Sequence, residues 1–118
     1  MRHRLDNYLR AHRRRAGLTQ DEVAFLLGSA SGTKVSRYEQ GRRRPPLETA
    51  FAYEIIFGAP SRELFAGIYE RIERTARRRA RLLADRLGKA AMSRVNAHKL
   101  AALRALAASV EKKLSENR

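Results

Sequence analysis

The stretch from Leu18 to Pro45 constrains the fold of this chain more than any other part of the sequence. Thr19 can accept backbone N–H groups at a helix entry, and Asp21 and Glu22 place negative charge in the first turn, where the helix dipole favours it. Gly28 can end that helix in a left-handed conformation. The apolar face of this short helix is predicted from three residues at helical spacing: Val23, Leu26 and Leu27.

A second helix is predicted over residues 31–40. Ser31 can cap it, Val35 faces inward, and one turn later Tyr38 or Glu39 faces the same way. The other face carries small polar and basic side chains: Thr33, Lys34, Ser36 and Arg37. The pattern predicts two short helices joined by a tight turn, and the second helix leaves its outer face to polar groups.

A set of positions across the first half of the chain is specific when taken together: Arg13, Gly17, Leu18-Thr19-Gln20, Val23-Ala24, Leu27-Gly28, Val35-Ser36-Arg37, Glu39, Gly41 and Arg43-Arg44-Pro45. Through these positions the chain resembles the lambda-repressor-like (Cro-like, XRE-family) helix-turn-helix proteins. The resemblance implies an all-α fold with a helix-turn-helix head of four to five helices at residues 1–60. A long helical extension at residues 61–118 follows, with a basic face and a role in dimerisation or partner binding.

The sequence departs from the family pattern at two points. Gly28 and Val35 are about one residue further apart than is usual in the family, and Gly32 stands where a long polar base-reading side chain is common. The predicted fold does not depend on these differences, whereas the details of base contact do.

The resemblance implies that the 31–40 helix enters the major groove of double-stranded DNA, where all four base pairs can be distinguished. Thr33, Lys34 and Arg37 are the candidates for reading bases, and Arg37 is the best candidate for a bidentate contact to guanine, although it could instead hold a phosphate. Lys34 can also contact a phosphate, and Ser36 can equally be structural. The candidates for contacts to the DNA backbone are Gln20, Ser36, Arg42 and Arg43.

The first helix is predicted over Leu5–Ala16, with Asp6 or Asn7 as its cap. In the family, an arginine of this helix commonly pairs with a glutamate of the base-reading helix, and Arg13 and Glu39 occupy those positions here. We expect this pair to be a structural clamp that fixes the angle between two helices.

Three further helical segments are predicted beyond the proline pair that follows this motif. Residues 47–57 form a helix that completes the core, and residues 62–87 form one long helix whose apolar stripe includes Leu83. A weaker helical pattern covers residues 89–114, and the two stripes meet each other or those of a partner chain. The candidates for dimer or partner contacts are Phe65, Ile68 and Ile72.

The charge balance indicates a polyanionic partner. The 118 residues include 26 Lys and Arg against 12 Asp and Glu, which gives a net charge of +14. The densest basic run, from Arg74 to Arg81, has two interpretations: additional phosphate contacts or an acidic protein partner on one side, and a solvated face that keeps the protein soluble on the other.

Catalysis and metal binding are not expected, and neither is a cofactor. The sequence contains no cysteine, its three histidines are scattered, and it has no phosphate-cradling glycine loop. No apolar run approaches the roughly 20 residues that a membrane-spanning helix needs. We therefore expect a soluble cytoplasmic protein, associated with a bacterial nucleoid.

Three functions remain open from the sequence. The first is a sequence-specific transcriptional regulator, in particular a repressor, that binds its operator as a homodimer. The second is an antitoxin that binds its operator with the same head and neutralises a partner toxin with its other helices. The third is a nonspecific nucleic-acid-binding protein, favoured by the charge of +14 and by Gly32.

Overall fold

The computed structural model describes residues 5–89 and 93–116, with side chains described as far as residue 108. Within these ranges the chain forms seven helices and no strand, so the predicted all-α fold is confirmed. A first compact unit ends at Tyr69, and a second begins at Glu70. In chain order the helices are α1 (Leu9–Arg15), α2 (Gln20–Leu26), α3 (Thr33–Glu39), α4 (Leu47–Phe57), α5 (Ser61–Leu64), α6 (Ala66–Gly88) and α7 (Arg94–Glu116).

The core of the first unit is built from one or two residues of each of its helices. Its fully buried side chains include Leu9 of α1, Val23 of α2 and Val35 of α3, each 0% exposed. Tyr53 of α4 and Leu64 of α5 close the same core from the other helices. Because α1 to α3 are only seven residues long, their stability depends on this shared burial and not on helix propensity alone.

The start of α2 follows from its sequence. The Thr19 hydroxyl accepts the Glu22 backbone N–H at 3.0 Å, and the Glu22 carboxylate accepts the Thr19 N–H at 2.8 Å, which completes a capping box. The prediction for the apolar face of α2 is wrong at one position, because Leu26 is 52% exposed and Ala24 is buried in its place. A small residue at position 24 lets the neighbouring helices approach α2 closely.

The predicted first helix begins too early, because α1 starts at Leu9 and not at Leu5. Residues 5–8 pair instead with the junction between α5 and α6: the Tyr8 N–H donates to the Leu64 carbonyl at 2.7 Å, and the Gly67 N–H donates to the Leu5 carbonyl at 3.1 Å. A Cβ atom at Gly67 would lie 2.2 Å from that carbonyl oxygen. Only glycine lets the two backbones come this close.

Asn7 connects this N-terminal segment to two helices. Its side-chain oxygen accepts the Leu9 N–H at 3.1 Å, and its amide group donates to the Tyr38 carbonyl at 2.9 Å. The predicted alternative cap, Asp6, instead offers its backbone carbonyl to the Ile68 N–H at 3.4 Å. The free N–H groups at the start of α6 are thus satisfied by the backbone of a distant segment.

The long helix predicted over residues 62–87 is broken near its start. Phe65 has φ −118° and ψ 42°, so α5 ends at Leu64 and α6 begins at Ala66. The ring of Phe65 packs against Tyr53, with 6.4 Å between the ring centroids. Burial of this ring on the core accounts for the change of direction, which sequence periodicity alone does not reveal.

In the second unit, α6 and α7 pack together through small residues. Ala80 and Ala84 of α6 and Leu100 of α7 are 5–7% exposed. Leu83 of the predicted apolar stripe and Ile72, a predicted partner contact, are 45% and 61% exposed, so both retain free apolar surface. The two alanines of α6 are therefore buried, whereas larger apolar residues of the same helix remain at the surface. Among the described residues, no helix is long and apolar enough to cross a membrane.

Candidate nucleic-acid interface

The turn between α2 and α3 is tight and has its own backbone hydrogen bonds. Gly28 adopts φ 75°, and the Ser29 N–H donates to the Ala24 carbonyl at 2.8 Å, which closes the end of α2. A positive φ of this size is strained for other residues, so glycine at position 28 sets the direction in which the chain leaves α2.

The start of α3 is held against the start of α2 by a hydrogen bond to a carboxylate. The Gly32 N–H donates to the Asp21 carboxylate at 2.9 Å, and a Cβ atom at position 32 would lie 2.6 Å from that carboxylate oxygen. The predicted helix over 31–40 is therefore too long: α3 begins at Thr33, with Gly32 before it. Ser31 is not an effective cap, because its hydroxyl lies 3.5 Å from the Thr33 nitrogen.

Glu39 at the end of α3 joins three helices. Its carboxylate accepts two hydrogen bonds from Arg13 of α1, at 2.6 and 3.1 Å, and one from the Gln20 side chain of α2 at 3.2 Å. The side chains of Arg13 and Glu39 are 12% and 4% exposed. Arg13 also donates to the Leu18 carbonyl at 3.0 Å. This network fixes the angle of α3 relative to α1 and α2.

The same network determines what two of its members can do. The hydrogen bond with Glu39 raises the pKa of Arg13, which keeps the guanidinium charged. Gln20 gives one amide hydrogen to Glu39, and its second amide hydrogen is left for another acceptor. Gln20 is therefore oriented at the start of α2 while it keeps a donor available.

The outer face of α3 forms one side of an open groove, which we call the α2–α3 groove. Thr33 and Arg37 are exposed, and Ser36 is half-buried. The residues that line the groove are Gln20, Asp21, Ser31, Gly32, Thr33, Ser36, Arg37, Gln40 and Arg42. Five residues expected from the sequence to contact DNA are thus brought together: Gln20, Thr33, Ser36, Arg37 and Arg42.

Two sequence candidates lie outside this groove. Lys34 is exposed on α3 but does not line the groove. Successive residues of an α-helix are rotated by about 100°, so Lys34 points away from the side that Thr33 occupies. Arg43 is exposed in the turn after α3, where the Arg42 and Arg43 N–H groups both point at the Arg37 carbonyl, at 3.0 and 3.4 Å. Arg42 and Arg43 therefore fold back onto the end of α3.

Four lining residues were not among the expected DNA contacts, and besides Ser31 and Gly32 these are Asp21 and Gln40. The Gln40 side chain donates to the Ser36 hydroxyl at 3.3 Å, so these residues share one face of the helix end. Their spacing of four residues could have indicated this placement. Asp21 brings a negative charge into the groove. It was assigned only to the first turn of α2, and nothing in the local sequence reveals its contact with Gly32.

The three candidate dimer residues have different environments. Phe65 packs on the core of the first unit, and Ile68 is half-buried. Ile72 is 61% exposed and retains a free apolar surface. Among the described residues, no group of three or more His, Cys, Asp or Glu side chains is placed to hold a metal ion.

Comparison with known protein families matches residues 5–63 to a family described as a helix-turn-helix domain. Separate searches of curated proteins and of solved structures return no match. The matched segment contains α1 to α4, the Glu39 network and the α2–α3 groove. Such domains are typical of DNA-binding regulators and are not typically enzymes. With half of its residues matched, the chain belongs to the helix-turn-helix domain family.

Proposed function

We propose that this protein is a sequence-specific transcriptional regulator, which binds operator DNA as a dimer and acts as a repressor. The observation that carries the proposal is the α2–α3 groove, where one face of α3 presents polar side chains and the opposite face is buried at Val35 and Tyr38. A rigidly held helix with a polar outer face is suited to the major groove of DNA.

Arg37 is the proposed specificity residue. It is exposed in the last turn of α3, lines the α2–α3 groove and forms no ion pair within the described part of the chain. A guanidinium can donate two hydrogen bonds to the O6 and N7 atoms of guanine, which no other base presents in that pattern. Thr33 and Lys34, nearer the start of the helix, contact neighbouring bases in this proposal.

Backbone contacts orient the helix in its groove. Gln20 donates its second amide hydrogen to a phosphate oxygen, while its first hydrogen stays on Glu39. Ser36 lines the groove beside it, and Arg42 and Arg43 add charge at the end of α3. Such contacts fix register and supply salt-dependent affinity without reading sequence.

Asp21 limits where phosphate groups can approach the groove. Its carboxylate accepts the Gly32 N–H and lies within the groove, where it repels phosphates that approach the start of α3. The phosphate backbone is therefore directed toward Gln20 and Arg42, and α3 meets the edges of the bases. This arrangement favours sequence reading over purely charge-driven binding.

Dimerisation is part of the proposal because one short helix can contact only a small stretch of DNA. One short helix reads only a few base pairs, so two copies on successive major-groove turns are needed for useful specificity. The exposed side chain of Ile72 offers apolar surface for a second copy. A dimer bound across a promoter blocks access to it, and binding of this kind would place the protein on the bacterial nucleoid.

The test is selection of binding sites from random duplex DNA, with wild type compared with Arg37→Ala and with Arg62→Ala as a matched control. Arg62 is an exposed arginine of α5 outside the α2–α3 groove. We expect wild type and the control to enrich the same inverted repeat. The Arg37 variant should lose preference at one base pair of each half-site, by about 1–3 kcal/mol. Absence of any enriched sequence with wild type would refute the proposal.

A further inference from the structure

The second unit carries a stripe of arginines that the helix-turn-helix motif does not explain. Helix α6 contains seven arginines and no lysine. Four of them recur at intervals of three, four and three residues, which places them along one face of the helix over about 15 Å. We call these residues the arginine stripe: Arg71, Arg74, Arg78 and Arg81. All four are exposed.

Arg77 of α6 has a structural role, and it lies beside this stripe on the side that faces α7. Arg77 donates to Glu73 at 3.1 Å and to the backbone carbonyl of Leu106 on α7, and only 13% of its side chain is exposed. By contrast, Arg74, Arg78 and Arg81 form no ion pair within the described ranges. Packing of the second unit therefore accounts for Arg77 but not for Arg74, Arg78 and Arg81.

A groove between α6 and α7 continues the basic surface at the end of the stripe. Arg81 lines this α6–α7 groove together with Lys89 and with Arg104 of α7, and Asp85 is the acidic residue among its lining side chains. The rest of the lining consists of alanines and Gly88. Small residues between cations allow an extended anionic chain to approach the helix backbones closely.

We propose that the arginine stripe and the α6–α7 groove form a second DNA-binding surface, which holds the phosphate backbone of duplex DNA without reading its sequence. The choice of DNA as the polyanion rests on the proposed function, whereas the surface itself does not. Guanidinium groups bind phosphate through two parallel hydrogen bonds, which explains the use of arginine alone on α6.

An acidic protein is the less suitable partner for this surface. Protein interfaces have an apolar centre surrounded by polar residues. The stripe contains only arginines, and the groove between the cations is lined by nothing larger than alanine apart from Asp85.

The test compares the full-length protein with Arg74→Gln/Arg81→Gln and with the control Arg86→Gln/Arg94→Gln. The control removes the same charge from exposed arginines of α6 and α7 that lie outside the stripe and outside the groove. Affinity for a short duplex without an operator is measured over a range of salt concentrations. The logarithm of the association constant falls with the logarithm of salt concentration by about 0.9 for each phosphate contact.

We expect the slope for the stripe variant to be shallower than that of wild type by about 1.8, and the control slope to stay within about 0.5 of wild type. A third variant, Arg74→Lys/Arg81→Lys, keeps the charge and should keep the slope, and circular dichroism checks that all variants remain helical. Equal slopes for the stripe and control variants would overturn the proposal. So would a change of slope with an RNA hairpin but not with the duplex.

The result of the salt-dependence experiment can be distinguished from the result of the operator-selection experiment. Arg37→Ala should relax operator selection and leave the effect of the stripe variant on the nonspecific duplex unchanged. If no operator is enriched but the stripe variant still lowers the slope, the second surface stands without the regulator assignment. If an operator is enriched and the slopes are equal, the regulator assignment stands alone.

Discussion

Tyr53 is the aromatic centre of the first unit, and its hydroxyl group is the unusual part of it. The side chain is 1% exposed, with Tyr38, Phe57 and Phe65 around its ring at centroid distances of 5.7–6.4 Å. The hydroxyl is buried without a hydrogen-bond partner among the described residues. Because an unpaired buried hydroxyl loses its hydration, the ring stabilises the fold while its polar atom opposes it.

Burial also raises the pKa of Tyr53 above its ordinary value of 10.0. The unfolded chain then releases this proton at lower pH than the folded protein, so the free energy of unfolding falls as pH rises above about 10. Tyr53→Phe should remove this contribution and, at neutral pH, leave stability unchanged or raise it by up to about 1 kcal/mol. Chemical denaturation at neutral and alkaline pH measures both effects.

Tyr53→Leu is the matched comparison, since it removes the hydroxyl and the aromatic contacts together. We expect it to lower the free energy of unfolding by about 2 kcal/mol or more. If Tyr53→Phe is less stable than wild type at neutral pH, the hydroxyl has a favourable partner. If its free energy of unfolding falls at alkaline pH as steeply as that of wild type, Tyr53 is not the group that titrates.

At the scale of elements, the junction of α5 and α6 depends on a close backbone approach. Gly67 donates to the Leu5 carbonyl, and the segment 5–8 takes the place of a cap for α6. Gly67→Ala would force a Cβ atom to within 2.2 Å of that oxygen. We expect the segment to detach, with a loss of about 1–3 kcal/mol in the free energy of unfolding.

Gly88→Ala is the control for this substitution, because it also lies in α6 and a Cβ atom there meets nothing within 4 Å. This variant should gain up to about 1 kcal/mol from the higher helix propensity of alanine. Thermal unfolding of the two variants, followed by circular dichroism, gives the comparison. Equal changes in the two variants would contradict the assigned role of Gly67.

Helices with local start and stop signals could be predicted from the sequence, whereas segments whose conformation depends on distant partners could not. The helix at Leu47–Phe57 was predicted with its observed bounds, because Pro46 precedes it and Gly58 ends it with φ 61°. Residues 5–8 looked helical because their partners at Leu64 and Gly67 are remote in sequence. The grouping of Gln20, Ser36, Arg37 and Arg42 was anticipated through the family resemblance, whereas Asp21 entered the groove through a nonlocal contact.

For the whole molecule, charge and exposed apolar surface are distributed unevenly along the chain. The chain through Gly58 has a formal charge of +5, from 11 basic and 6 acidic residues, and the remainder has +9, from 15 basic and 6 acidic residues. The more basic part also exposes a large apolar side chain, that of Ile72, which is 61% exposed. Like-charged chains associate only when apolar contact outweighs their repulsion.

Ile72→Asp tests whether this apolar surface holds two copies together. We expect the variant to be monomeric by light scattering at concentrations where wild type is dimeric, since a buried unpaired carboxylate strongly opposes association. Leu82→Asp, at a comparably exposed position of α6, should leave the dimer intact. If wild type is itself monomeric, or if both variants remain dimeric, this surface is not the interface.

The contact between Gly32 and Asp21 has a consequence for how such a protein can evolve. The fold does not depend on four side chains that line the groove: Thr33, Ser36, Arg37 and Gln40. Among the described residues, none of them forms a hydrogen bond with a core residue, so they can be exchanged without disturbing the fold. Position 32 is different, because a Cβ atom there would lie 2.6 Å from the Asp21 carboxylate and 3.1 Å from the Gln20 backbone, so one of the two must shift. New binding preferences can therefore arise by substitution along α3, while Gly32, which precedes its first residue, stays constrained by Asp21 and Gln20.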